Sequence, residues 1–241
     1  MAIRLNKYLS RCGLAARRKC DLLIRSGRVA INNQVVTSLG QSVDEAHDVV
    51  TVDGHKVAPR SDMVYILLHK PAGYITTVSD ERGRRTVMSL IPETYQVVPV
   101  GRLDKDTTGV LLMTNDGQLA YQLTHPKFEI DKIYRLELDT PITKAHVQQL
   151  QAGVLLEDGM TSPCEVQVSP RNRRRLTMAI HEGRKRQIRR MLASLGYHVL
   201  RLARVQFATL TVRGLAPGQW RLLTPAEINR LKRIGSKAYD T

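Results

Sequence analysis

The sequence VVPVGRLDKDTTGVLLMTNDG, residues 97–117, places a short polar loop between two apolar runs. Apolar runs of this length predict buried strands, and Asn-Asp-Gly after the second run predicts a tight turn. The loop carries two carboxylates, Asp104 and Asp106, in a chain that is otherwise strongly basic. Two flanking strands would hold such a loop at a sheet edge, either as a surface turn or as the site of a functional acid.

Strand and helix patterns mix around this loop without a regular βαβ alternation. KIYRLEL (132–138) alternates as a strand does, RKRQIRRMLASLG (184–196) predicts a basic helix closed by Gly196, and HVLRLARVQFATLTV (198–212) predicts strands. We therefore expect an α+β fold, with a large mixed, mainly antiparallel sheet flanked by helices.

The first 60 residues form a separate small module by their pattern. RLNKYLSRCG (4–13) and ARRKCDLLIRSG (16–27) each place apolar residues at helical spacing and end in glycine, and short strand signals follow. VAPRSD (57–62) has the composition of a linker. We expect two domains, an α/β module at 1–60 and a larger domain at 63–241.

The charge of the chain indicates a polyanionic partner. There are 37 Lys and Arg residues against 22 Asp and Glu, a formal net charge of +15. Nucleic acid is the expected partner, because contacts to phosphates release counterions. In the first module the cations cluster near the two predicted helix starts, where they oppose the helix dipole and do not serve helix stability. The candidate RNA-binding residues there are Arg4, Lys7, Arg17, Arg18 and Lys19.

Several other classes of protein are disfavoured. No apolar stretch approaches the roughly 20 residues that a membrane-spanning helix needs, and MAIRLNKYLSRCG lacks the pattern of a secretory signal. The three cysteines are widely spaced without a C-x-x-C motif, which indicates reduced thiols and no zinc site. We expect a cytoplasmic monomer that does not contact membranes and binds no metal.

The residues of the loop leave its chemistry open. A structural turn is one interpretation, because Asp106 and Gly109 have good turn chemistry. A carboxylate pair for a metal or for glycosidic hydrolysis is a second. The third is a single functional carboxylate, Asp104, held ionised by Arg102 or by an arginine from elsewhere in the chain.

Two stretches of the first module resemble the RNA-binding domain of ribosomal protein S-four. They are residues 4–36, RLNKYLSRCGLAARRKCDLLIRSGRVAINNQVV, and residues 48–54, DVVTVDG. The resemblance covers the whole module. It implies binding to phosphates and to RNA shape rather than reading of base edges.

The second domain resembles the pseudouridine synthases, in the group named for the rRNA enzymes RsuA and RluB. The matching segments follow in the family's order and span nearly all of residues 63–225: HKPAGYITT (69–77), GRLDKDTTGVLLMTNDG (101–117), KIYRLEL (132–138), EGRKRQIRRMLASLGYHVLRLARVQF (182–207) and GLAPGQWRLLT (214–224). The resemblance implies that the chain isomerises uridine in RNA to pseudouridine.

The resemblance also implies the site residues. Asp104 matches the essential aspartate, Tyr134 the active-site tyrosine, and Arg189 the arginine that pairs with the aspartate. Arg102 would fill the space left by the flipped base, and Arg184 would contact RNA or support the fold. An apolar residue near the uracil ring is expected at Leu200 or Leu202.

Asp104 would attack the anomeric carbon or remove a ribose proton to give a glycal, and the residues leave both routes open. An isomerisation needs no metal or cofactor. The expected partner is ribosomal RNA or a ribosomal precursor particle, with large-subunit RNA slightly favoured over small-subunit RNA. The alternatives are a non-catalytic rRNA-binding assembly factor and a hydrolase that uses both Asp104 and Asp106.

Overall fold

The computed structural model describes residues 2–59 and 62–237, in two compact units, Met1–Met63 and Val64–Thr241. The first unit has two helices and six short strands. The strands pair as an antiparallel two-stranded sheet, β1-β4, and an antiparallel four-stranded sheet, β3-β2-β5-β6. The element bounds are β1 Ala2–Arg4, α1 Leu5–Arg11, α2 Arg17–Arg25, β2 Val29–Ile31, β3 Gln34–Val35, β4 Ser42–Asp44, β5 Val50–Val52 and β6 His55–Val57.

The two helices of this unit form where the apolar spacing predicts them. Leu5, Leu9, Cys20 and Ile24 are buried and pack with valines of the strands into one small core. The strand Ala2–Arg4 was not predicted, because its pairing partner Ser42–Asp44 lies about 40 residues further along the chain.

The second unit contains one nine-stranded sheet of order β13-β14-β10-β15-β9-β7-β17, to which β8 and β16 are added at β9 and β15. Its strands are β7 Tyr65–Lys70, β8 Val98–Pro99, β9 Thr108–Thr114, β10 Lys132–Leu138, β13 Glu165–Val168, β14 Arg175–Ile180, β15 Val199–Phe207, β16 Leu210–Thr211 and β17 Trp220–Leu222. A separate hairpin joins β11 Leu155–Leu156 to β12 Gly159–Met160. The helices are α3 Gly117–Thr124, α4 Lys144–Ala152, α5 Gln187–Ser194 and α6 Pro225–Lys237, with 3-10 turns at Val87–Leu90, Glu93–Tyr95 and Pro126–Phe128.

The expected mixed, mainly antiparallel sheet and the α+β class are confirmed. Among the described strands, the parallel contact is β9 with β15, and it covers two residue pairs, Thr108 with Ala203 and Gly109 with Arg204. The other strand pairs of the sheet are antiparallel. The sheet is therefore made of two antiparallel halves that meet at one short parallel seam.

Burial differs between the two halves of the sheet. β7 and β9 are mostly apolar and almost fully buried, because one core covers one face and a second core, which includes α3 and α6 residues, covers the other. β10 alternates instead, with Tyr134 and Leu136 in the core and Arg135 and Glu137 on the opposite face. The seam thus joins a half that is covered on both faces to a half that is open on one.

The basic helix after residue 182 starts later than its sequence predicts. α5 begins at Gln187 rather than at Arg184, and Arg186 before it has a left-handed backbone, with φ 50° and ψ 33°. Arg184 is held outside the helix, since its guanidinium donates to backbone carbonyls of the β11–β12 hairpin. Across residues 2–59 and 62–237, no helix combines the length and the apolar character that crossing a membrane requires.

The seam leads to a prediction about Gly109. A Cβ at this residue would lie 2.0 Å from the Arg204 carbonyl oxygen, and the φ of +113° is already unfavourable for other residues. We expect Gly109→Ala to lower the free energy of unfolding by about 3 kcal/mol or more, measured by urea unfolding. Gly117→Ala is the control, because a Cβ there meets nothing within 4 Å. Equal stability of the two variants would contradict the close approach at the seam.

Candidate active site

The loop that carries Asp104 is anchored on both sides of this residue. Before it, the buried Leu103 exchanges two hydrogen bonds with Thr76, Oγ1 to carbonyl at 2.9 Å and amide to Oγ1 at 3.3 Å. After it, the Thr107 amide donates to the Asp104 carbonyl at 3.1 Å and closes a turn. Asp104 is therefore presented from a fixed backbone, with its side chain 30% exposed.

Lys70 holds the same loop from beneath. This residue ends β7, is fully buried, and donates from Nζ to the carbonyls of Pro71, Lys105 and Thr107 at 3.0, 3.2 and 2.8 Å. Burial lowers the pKa of the Lys70 ammonium to about 8, and the nearby carboxylates of Asp106 and Asp104 oppose that change. The buried Lys70 ammonium thus holds two segments in place through their backbone carbonyls: Pro71 directly after β7, and the loop that carries Asp104.

A cavity of about 150 Å³ opens beside Asp104. Its lining includes Tyr134 from β10, Leu202 and Arg204 from β15, and Arg102 from the loop. An apolar protein cavity of about this volume holds one six-membered ring. The structure therefore brings Asp104, Tyr134 and Arg102 together around a space the size of a pyrimidine. Of the two leucines expected near a base, Leu202 lines this cavity, whereas Leu200 is 56% exposed and lines a neighbouring groove.

The carboxylate of Asp104 lies near an arginine that the sequence did not single out. The ion pair that it forms within 4.0 Å, among the described residues, joins its Oδ2 to Nη1 of Arg186. The left-handed backbone of Arg186 turns the chain just before α5, opposite the loop.

Arg189 was expected to form that pair and lies differently. Its Nη1 donates to the Val199 carbonyl at 2.9 Å, and its Nε is buried with no hydrogen-bond partner in the described part of the chain. Burial lowers the pKa of the Arg189 guanidinium and Arg186 lowers it further, while Asp104 and Asp106 raise it. Arg189 therefore acts on Asp104 through the local field rather than through the close ion pair.

Arg184 has little donor capacity left for RNA. Its Nε donates to Glu182 at 3.1 Å, and its Nη groups donate to the carbonyls of Asp158, Gly159 and Met160. Arg184 lines the cavity, yet these bonds tie it to the β11–β12 hairpin. Of its two expected roles, the geometry favours support of the fold.

Asp104 and Asp106 line different spaces. Asp106 lines a larger groove of about 800 Å³ on the open face of β10, β14 and β15, whereas Asp104 lines the ring-sized cavity. The chain between residues 2 and 237, apart from residues 60–61, shows no cluster of three or more His, Cys, Asp or Glu suited to a metal. The separation of the two carboxylates favours the interpretation with one functional carboxylate over the carboxylate pair.

Sequence reasoning missed several cavity residues. Lys132, at the start of β10, and Arg204 and Arg186 line the cavity, and Lys70 underlies its loop. A signal existed for Arg204, because it follows Leu202 at the two-residue spacing of a strand and so shares its buried face. A signal existed for Lys70 as well, since it ends an otherwise apolar strand.

The candidate RNA-binding residues of the first unit are exposed. Arg4 is the N-cap of α1 and Arg17 is the first residue of α2. The amide of Leu5, at the start of α1, donates to the Gln41 carbonyl at 2.8 Å. Neither helix has a side-chain cap or an acid in its first turn, so cations are the charged groups at both helix starts. That arrangement is suited to phosphate groups. The exposed set is Arg4, Lys7, Arg17, Arg18 and Lys19.

Comparison with known proteins places both units. Residues 64–194 match the family model of RNA pseudouridylate synthases, and residues 3–50 match that of the S4 domain. The chain is 42% identical over 236 residues to the ribosomal large subunit pseudouridine synthase B of Bacillus subtilis (strain 168), covering 96% of each protein. It is 35% identical to the dual-specificity RNA pseudouridine synthase RluF of Escherichia coli (strain K12), covering 97% of this chain and 79% of that protein. A crystal structure of a pseudouridylate synthase has a TM-score of 0.71 at 28% identity and covers 95% of this chain and 99% of its own.

The lowered pKa of Lys70 leads to a test by pH. The folded pKa of about 8 lies below the ordinary lysine value of 10.5, so between these values the unfolded chain binds a proton that the folded chain does not. Stability due to Lys70 is therefore lowest below pH 8 and rises with pH up to about 10.5. We expect the unfolding free energy of the wild type, minus that of Lys70→Met, to rise by up to about 3 kcal/mol over this range.

Urea unfolding of both proteins at pH 7, 8, 9 and 10 measures this difference. Subtracting the Lys70→Met values removes every other titrating group, including Lys132, whose pKa burial also lowers to about 8. A difference that stays constant over the range would show that the buried ammonium keeps its ordinary pKa.

Proposed function

This chain belongs to the RNA pseudouridylate synthases, which are isomerases, and we propose that it converts a specific uridine of ribosomal RNA to pseudouridine. The observation that supports this most is the cavity of about 150 Å³, where Asp104, Tyr134 and Leu202 come together from three separate elements. The large-subunit enzyme of Bacillus subtilis, similar over 96% of each chain, favours large-subunit RNA as the substrate.

The cavity supports base flipping. A ring-sized space with a buried Tyr134 on its wall takes one base out of the RNA stack, because the glycosidic bond cannot be reached inside a helix. Arg102 is exposed and lines the cavity beside Asp104. Its planar guanidinium fills the place of the flipped base by stacking on the neighbouring bases.

Asp104 is the group that opens the glycosidic bond in this proposal. It attacks C1′ or removes the C2′ proton, and both routes begin with an ionised carboxylate. The guanidinium of Arg186 lies 4.0 Å from Oδ2 of Asp104 and pairs with this carboxylate. Tyr134 packs on the base and assists removal of the C5 proton once carbon 5 is joined to the ribose. Substrate and product have the same atoms, so the reaction consumes no oxidant, reductant or group donor.

The first unit supplies affinity in this proposal. The S4 match and the uncapped, cation-bearing starts of α1 and α2 support binding to the phosphates of structured RNA. One chain carries all the named site residues, so a monomer is sufficient for the reaction. We propose that it acts in the cytoplasm, on ribosomal RNA or on a ribosomal precursor particle. The alternative of a non-catalytic assembly factor predicts that Asp104 is dispensable for modification.

The two carboxylates of the loop provide the direct test. We expect Asp104→Asn to lower turnover by more than about 1,000-fold, because it removes the reacting carboxylate. Asp106→Asn is the matched control, because Asp106 lies two residues further along the same loop. We expect this variant to lose less than about tenfold in turnover, because Asp106 lines the neighbouring groove. Purified variants would be compared on ribosomal RNA, with pseudouridine quantified by chromatography of nuclease digests.

The substrate is identified in cells lacking the gene. Carbodiimide labelling and primer extension would map pseudouridines in ribosomal RNA after complementation with wild type, Asp104→Asn or Asp106→Asn. A site restored by wild type and Asp106→Asn but not by Asp104→Asn supports the proposal and names the uridine. A site restored by Asp104→Asn as well would contradict it, and would favour the assembly factor.

The proposed role of the first unit has its own prediction. Replacing Arg17, Arg18 and Lys19 together by Ala would weaken RNA binding and reduce the slope of log affinity against log salt by up to about 3, because each of the three cations neutralises about one phosphate. Arg25→Ala is the control, because this exposed cation lies at the other end of α2. An unchanged slope in the triple variant, measured by filter binding, would exclude these cations from the RNA interface.

A further inference from the structure

Arg204 lies on the buried face of β15, at the wall of the ring-sized cavity, and is 2% exposed. Its backbone pairs with Tyr134 on one side and Gly109 on the other. Its Nε donates to the Val110 carbonyl at 2.9 Å, and its guanidinium carbon lies 4.7 Å from the centre of the Phe207 ring. The guanidinium is thus held rigidly beside the two elements that carry Asp104 and Tyr134.

Nη2 of Arg204 is buried and lacks a hydrogen-bond partner within the described residues. An uncompensated buried donor of a charged group is strongly unfavourable, so its presence requires a reason. Lys132 adds to the positive charge, because this residue also lines the cavity and donates to the carbonyls of Ile130 and His181 at 2.8 and 2.5 Å. Arg204 and Lys132 therefore place two cations on this wall of the cavity.

We propose that Arg204 is a further catalytic residue, whose guanidinium at the cavity wall stabilises the negative charge that develops on a uracil carbonyl oxygen when the base leaves the ribose. The bond between C1′ and N1 breaks, and its electron pair stays on the base, where it is shared between N1 and the carbonyl oxygens. Carbon 5 then bonds to C1′ as the bond between Asp104 and C1′ breaks, or, on the glycal route, as C2′ regains its proton. The C5 proton leaves to a base, and N1 takes up a proton. This inference rests on the proposed isomerisation and assigns a role that Asp104 and Tyr134 do not fill.

The location of Arg204 favours a base oxygen over a phosphate. Phosphates are strongly hydrated, and exposed cations next to the lining residues in sequence, such as Lys105 and Lys185, are available to them. Arg204 is almost completely buried, and the cavity beside it has the volume of a single ring. A buried and rigidly held donor stabilises developing charge most effectively, because it needs no reorganisation during the reaction.

The test uses RNA fragments that carry either uridine or 5-fluorouridine at the target position, in single-turnover reactions with saturating enzyme. Fluorine at carbon 5 withdraws electrons and stabilises the departing uracil anion, so it compensates for a missing donor. We expect Arg204→Met to slow loss of uridine by about 100-fold, and the ratio of 5-fluorouridine to uridine rates to rise at least about tenfold over wild type. Arg204→Lys, which keeps the charge, should have a ratio close to that of wild type.

Each control separates one explanation from another. Arg204→Met keeps an apolar stem against Phe207. Arg204→Gln is a second neutral variant, for use if the Arg204→Met protein does not fold, and thermal melting checks the folding of both.

A loss of rate with an unchanged ratio would overturn the proposal and indicate a structural role. Weaker RNA binding with a lower salt slope and normal rates at saturation would also overturn it and indicate a phosphate contact. Failure of the wild type to convert uridine would instead contradict the proposed function itself.

Discussion

The contact between Gly109 and the backbone of Arg204 determines where the site lies. A Cβ on Gly109 would come within 2.0 Å of the Arg204 carbonyl oxygen, so only glycine allows β9 and β15 to meet there. Because the parallel pairing covers only two residue pairs, the two antiparallel halves of the sheet join at this point and separate on either side of it. The loop that precedes β9 then lies against β10 and β15, and Asp104 reaches the cavity that those strands line.

Charge at this junction is arranged around one carboxylate. Lys70 donates to the backbone carbonyls of the loop and of Pro71 before it, Arg186 lies 4.0 Å from Asp104, and Arg204 lines the cavity beside them. Burying cations such as Lys70 and Arg204 is unfavourable, and burial lowers the pKa values of Lys70 and Lys132 to about 8. Carbonyl acceptors offset part of that cost, and an RNA substrate that brings negative charge would offset more. Such a site is suited to a reaction in which the base carries negative charge for a short time.

The proposed function divides recognition and chemistry between the two units. The first unit has a small core of its own and presents cations at two helix starts that lack caps. The second unit places a narrow cavity inside a large sheet, where one ring can be surrounded by fixed groups. Contacts to phosphates provide affinity without sequence information, whereas a fixed cavity provides orientation.

The sequence by itself determined the α+β class, the two units, both helices of the first unit and the strands around the polar loop, because these follow from apolar spacing and turn residues along a few neighbouring positions. The resemblance of its motifs identified the family and placed Asp104 and Tyr134, which the structure brings to one cavity. The later start of α5, the strand at Ala2–Arg4 and the hydrogen bonds of Arg184 depended on partners far along the chain. Only the tertiary structure decided that Arg186 rather than Arg189 pairs with Asp104, that Lys70 donates to the loop carbonyls, and that Arg204 lines the cavity. The reason is physical: a side chain's partner is set by the register of strands distant in sequence, and local pattern carries no information about that register.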